Sequence, residues 1–113
     1  MPEAPGPEDV KIITLARSAR ARVASAEGAA VRDETGRTYA AAAVALPSLQ
    51  LSALHLAVAM AASRGAAALE AAAVVSDGAP PDPADIAAVR ELGPDAAVFY
   101  AEPDGTVRAV LRP

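Results

Sequence analysis

The chain contains one histidine and no cysteine. The histidine, His55, sits inside LSALHLAVAMAASRG, residues 51–65, a stretch that is otherwise leucine, alanine, valine and methionine. Imidazole is the one side chain that ordinarily titrates near neutral pH, so His55 is the first candidate for proton chemistry. Asp82 and Asp85 form a second candidate: two carboxylates three residues apart, immediately before the apolar run IAAVREL. In that place they suit the N-cap and third position of a helix, where the cap contributes about 0.5–2 kcal/mol and the helix dipole a few tenths more. Arg17, Arg20 and Arg22 form a small basic cluster, of which Arg17 and Arg20 share a helical face; the plain reading is a solvated face. Ser63, Ser76 and Asp77 read as loop or cap residues.

The elements that must position these groups follow from periodicity. Residues 1–8 hold three prolines and two glutamates and read as a disordered tail, leaving residues 9–113 as one domain. Asp9 can cap a first helix, in which Ile12, Leu15, Ala16 and Ala19 trace one buried stripe, and which frays near Val23. RDETGR is a turn between strands over 28–33 and 37–45, with Gly36 free to take positive φ. Pro47 and Ser48 open a central helix over 48–64, with Ser48 as N-cap and Gly65 as its stop. LEAAAVVSD is a strand buried on both faces, Asp82 starts a helix over 83–92 that Gly93 ends, and AAVFYA and VRAVLR are the last strands. The order is α-β-β-α-β-α-β-β. It predicts an α/β protein, a three-layer α/β/α sandwich on a mixed sheet of about five strands, with right-handed crossovers and partly parallel pairing.

Composition bounds the function. Of 113 residues, 53% are hydrophobic and only 3% aromatic, so alanine, valine, leucine and isoleucine must build the core through close backbone packing. Arginine replaces lysine almost everywhere, Lys11 being the one exception, and alanine is abundant; this is the codon bias expected of a GC-rich bacterial genome. The formal charge of −4 argues against nucleic acid, which is held by clustered Lys and Arg. The lack of cysteine excludes disulfides and thiolate zinc sites. The acidic N-terminus is the opposite of a basic targeting segment, and the central helix, about 25 Å long, is short for a membrane span. The expectation is a cytoplasmic protein with no membrane contact.

These segments resemble one family. EGAAVRDETGR, SALH…SRG, AAAVVSD at 71–77, PDPAD at 81–85 and PDGT at 103–106 fall in the frame of the small, homo-oligomeric cytidine deaminases, over residues 10–113. In that family a Cys-Ala-Glu-Arg helix start and a Pro-Cys-x-x-Cys helix start hold zinc, which activates water to attack a cytosine ring while the Glu moves the proton. By this resemblance Ser52 stands at the first zinc ligand, Leu54 at the proton shuttle, and Asp82 and Asp85 at the two remaining thiolates. Ala43, Val44 and Ala45 stand at the substrate-binding Asn-x-Glu, a residue near Ser25 at an aromatic position, and His55 at the arginine. A leucine cannot shuttle a proton and a serine hydroxyl is a poor zinc ligand.

The resemblance therefore implies a vestigial site, with the zinc site lost, no cofactor and no catalytic residue. His55 would pair with Asp82 or Asp85 as a buried polar contact. The family's tetramers further imply a homo-oligomer, dimer or tetramer, joined through the 48–64 helix. The expected function is a catalytically inactive cytidine deaminase-like protein, serving as an oligomeric scaffold or as a partner of another protein. Two other readings stay open. One is a nucleoside or small-ligand binding module in the old pocket. The other is a metal-dependent hydrolase in which Asp82, Asp85 and His55, with Ser52 as a fourth ligand, hold Mg²⁺ or Mn²⁺.

Overall fold

The computed structural model describes residues 5–113. Its centre is a five-stranded mixed sheet formed by β1 (Glu27–Asp33), β2 (Thr38–Ala42), β5 (Leu69–Ser76), β6 (Ala97–Ala101) and β7 (Val107–Leu111), in the order β2-β1-β5-β6-β7. One face carries α1 (Pro7–Arg22); the other carries α2 (Ala53–Ser63) and α3 (Pro83–Leu92). The α/β/α sandwich is thus the one expected.

The two-residue period of a strand divides its side chains between the faces. Ala29 and Val31 of β1, Ala72 and Val74 of β5 and Val98 of β6 join Leu54, Ala57, Val58, Ala61 and Val89 in one core. Ala30, Ala71, Ala73, Val75, Ala97 and Phe99 join Ile12, Ile13 and Ala16 in the other. Alanine is what lets the helices lie so close. At Gly28 an added Cβ would stand 2.1 Å from the Ala16 carbonyl oxygen, so α1 rests directly on the β1 backbone.

The structure corrects several boundaries. The expected tail, 1–8, falls partly outside the described residues, but Pro7 and Glu8 already belong to α1, whose N-cap is Gly6 rather than Asp9. Proline at the first helical position needs no amide donor, and Glu8 and Asp9 complement the helix dipole. At the other end the chain leaves α1 through a left-handed Ala24, φ 52°, closed by the Ser25 amide donating to the Arg20 carbonyl.

The larger correction lies between β2 and α2. The strand expected over 37–45 ends at Ala42, and Pro47 and Ser48 do not open a helix. They form the turn of a small hairpin, β3 (Val44–Leu46) and β4 (Leu49–Leu51), and the helix begins at Ala53 with Ser52 as its cap. Two extra strands therefore interrupt the expected order. The adjacent crossover, β5-α3-β6, produces the expected parallel pair, whereas β5 meets β1 antiparallel and β2 lies one strand further out.

Candidate functional site

The amino ends of α2 and α3 meet, and the polar residues singled out in the sequence gather there. Ser52 caps α2 by accepting the His55 amide on its Oγ at 3.1 Å. The same hydroxyl donates to Asp85 Oδ1 at 2.8 Å. Asp85, 7% exposed, is the buried acid in the first turn of α3. The His55 ring folds back over it: Nε2 lies 3.2 Å from Asp85 Oδ1 and 3.1 Å from the Ala84 carbonyl oxygen. Two acceptors face one ring nitrogen, so Nε2 must carry the proton. Ser52 Oγ, Asp85 Oδ1 and His55 Nε2 each have a protein partner, and the His55 side chain keeps 38% of its surface in solvent.

Asp82 stands apart. It is exposed and caps α3, its Oδ1 accepting the Ala84 amide at 3.1 Å. The carboxylate that meets His55 is Asp85. Leu54 points the other way, into the core beneath the sheet, and is 1% exposed. Ala43 sits half-buried between β2 and β3, and Ala45 is exposed on β3, opposite Gln50. Ser25 accepts the Glu27 amide in the turn before β1, while Ser76 donates to the Ala79 carbonyl in the loop after β5. Among the described residues no group of three or more His, Asp or Glu side chains could hold a metal.

Glu27 escaped the sequence reading. From the first position of β1 its Oε1 accepts the Ala53 amide at 2.8 Å, so a carboxylate from the sheet satisfies a second free amide at the start of α2. An acid just before Gly28, where the chain enters the sheet beside a helix start, is the signal that points to it.

A protein-family model for cytidine deaminase-like proteins matches residues 5–105. The chain belongs to the cytidine deaminase-like family. Among solved structures, the cytidine deaminase of Burkholderia pseudomallei is similar, with a TM-score of 0.76 and 26% identity over 90% of each chain. The cytidine deaminase of Mycobacterium leprae has a TM-score of 0.68 and 22% identity, again over 90% of each chain, a likeness of fold alone. No curated protein sequence matches. The family read from SALH, AAAVVSD and PDPAD is the one this family model gives. The structure puts Ser52 and Asp85 in direct contact at two helix starts, with Asp82 at the cap of the second.

Proposed function

We propose that this chain is a catalytically inactive member of its family, a cytoplasmic scaffold or protein-binding partner that works as an oligomer. The observation that carries this reading is the 2.8 Å hydrogen bond from Ser52 to Asp85, at two positions where the resembled deaminases hold zinc. The donor set does not fit that metal. Tetrahedral zinc sites in this chemistry use thiolates and imidazole. Here the sequence has no cysteine and a single histidine. The Ser52 hydroxyl is engaged by the His55 amide and Asp85, and Asp82 is engaged by its own helix. Metal-assisted hydrolysis must bring water's pKa down to about 7 and supply a proton acceptor. Leu54, at the acceptor's place, is hydrocarbon sealed in the core.

The surface supports a binding role. Leu46 and Leu49 on the β3–β4 hairpin and Met60 on α2 are large apolar side chains left exposed. Leu49 and Met60 lie within the 48–64 segment expected to meet a second copy, and Leu46 lies just before it. No helix of the described residues is long and apolar enough to cross a membrane.

The test is ammonia release from cytidine and deoxycytidine by protein purified with and without added zinc, in parallel with light scattering. We expect no turnover above buffer and a mass of at least twice 11.3 kDa. Turnover that disappears in Ser52→Ala would overturn the inactive reading. A monomer mass at micromolar concentration would remove the oligomer.

A further inference from the structure

At the carboxyl end of α2, about 16 Å along the helix from Ser52, two recesses share a wall. The first, about 360 Å³, is largely apolar, with Leu56, Ala59 and Met60 among its lining. The second, about 420 Å³, is lined by Arg37, Thr38, Tyr39, Ala40, Met60 and Arg64. Tyr39, Met60 and Arg64 belong to both. One continuous concavity thus runs from hydrocarbon to a pair of guanidinium groups.

Among the described residues Arg37 and Arg64 share with Arg22 a guanidinium that has no partner, whereas the other arginines are engaged. Arg32 is bound to Asp9 and Glu70, Arg108 to Glu102, and Arg17, Arg20 and Arg90 to backbone carbonyls. Among the described residues, neither the Arg37 nor the Arg64 guanidinium has a hydrogen-bond or ion-pair partner, although the chain is acidic overall. Tyr39, whose hydroxyl donates to Asp33, lines both recesses beside Arg64 and the second beside Arg37 as well. The carboxylate behind the ring, Asp33, is occupied by the amides of Thr35 and Arg37 and the hydroxyls of Thr35 and Tyr39. Near the end of α2 the carbonyls of Met60, Ala61 and Ala62 accept the amides of Arg64, Gly65 and Ala66.

We infer that this concavity binds a small organic anion, its carboxylate or phosphate head between Arg37 and Arg64 and its apolar body along Leu56, Ala59 and Met60. Guanidinium forks match oxyanions, and pockets of a few hundred cubic ångströms with apolar walls and a few convergent polar groups hold small ligands. The site is separate from the Ser52–Asp85 cluster; it shares Met60 and the 48–64 segment with the surface assigned above to a second copy, so the anion and the second copy would compete for it.

Octanoate, octyl phosphate, octanol and acetate are the probes, titrated into the full chain by amide-resolved NMR. Octanoate or octyl phosphate should shift the amides of residues 37–40 and 60–64 and bind at least tenfold tighter than octanol or acetate; the tighter of the two names the head group. The Arg37→Gln/Arg64→Gln double variant should lose at least tenfold for the anions and nothing for octanol. Three results would each overturn the proposal. They are no shifts up to the solubility limit, octanol binding as tightly as octanoate, and an unaltered anion affinity in the double variant. The octanol and acetate comparison needs only the wild-type chain, so it decides the matter even if the double variant fails to fold.

Discussion

Truncating Asp85 separates a structural cluster from a working site. In Asp85→Ala the Ser52 hydroxyl loses its acceptor, a hydrogen bond to a charged group of the kind that contributes about 1.5–3 kcal/mol. The helix-dipole contribution of an acid in the first turn of α3 goes with it, about 0.3–1 kcal/mol. The half-exposed His55 contact adds little, about 0–1 kcal/mol for an ion pair open to solvent. Ser52 is itself only half-buried, so water partly replaces the lost acceptor. A net cost of about 2–3 kcal/mol is expected, which for a chain of this length lowers Tm by about 8–12 °C. Asp85→Asn keeps an oxygen in the same place and loses only the charge, costing about 0.5–1 kcal/mol. Urea denaturation followed by circular dichroism measures both variants, and an unchanged m-value keeps the comparison valid. The reasoning fails if Asp85→Ala is as stable as the wild type or more so. Groups held for chemistry are commonly kept at a cost in stability, and removing them relieves it. A stabilised Asp85→Ala would mark a site under functional strain.

Four further outcomes follow from single residues. Leu54→Ala should cost about 2–5 kcal/mol as a core truncation, and Leu54→Glu should be worse while, on the function proposed above, releasing no ammonia from cytidine; urea midpoints and an ammonia assay read the two effects. Gly28→Ala should cost about 3 kcal/mol or more, since its Cβ would stand 2.1 Å from the Ala16 oxygen and α1 would have to lift off the sheet; thermal melting and soluble yield report it. Ala24→Gly should stabilise by about 0.5–1 kcal/mol, because the left-handed φ of 52° strains alanine and suits glycine; a raised urea midpoint is the readout. Asp33 is held below the usual carboxylate range, first by the Thr35 hydroxyl and then by Tyr39 and the amides of Thr35 and Arg37. Its pKa is lower folded than unfolded, so its contribution is complete above the unfolded value of about 3.9 and disappears as pH falls through the folded value. A pH series of urea midpoints should decline below pH 4 in the wild type and less steeply in Asp33→Asn.

Much of this architecture is legible because local signals agree with one another. Asp82-Pro83 with Asp85 and Gly93 marks both ends of α3 to the residue. AAAVVSD is apolar at every position but its last two because β5 lies in mid-sheet with helices on both faces, a burial that leaves no alternation to read. The stretch from Ala43 to Leu51 misled for a related reason. Leu46, Leu49 and Leu51 supply helical-looking hydrophobicity directly ahead of a real helix, and Pro47-Ser48 is as good a helix start as it is a hairpin turn. What decides between them is tertiary. Ser52, not Ser48, stands where Asp85 can accept its hydroxyl and where Glu27 can cover the next amide. Neither partner is near in sequence, so the start of α2 cannot be placed from its own residues.

The same contacts explain how the starts of α2 and α3 are held together. Two helices whose amino ends converge concentrate free amides and partial positive charge, which must be answered by something. In the resembled enzymes metal thiolates occupy that place. Here Asp85, Glu27 and the Ser52 hydroxyl do, and His55 closes over the carboxylate through Nε2. Ser52 and Asp85 therefore depend on each other. A hydroxyl at 52 caps α2 on its own by accepting the His55 amide, but its proton finds an acceptor only if a carboxylate sits at 85, and that carboxylate tolerates burial only if it has such donors. The Ser52→Ala/Asp85→Ala double variant should accordingly cost less than the two single costs added, by about 1 kcal/mol or more in a double-mutant cycle. Strict additivity would mean that the two residues serve their own helices separately and that the convergence of α2 and α3 is held by the apolar core alone.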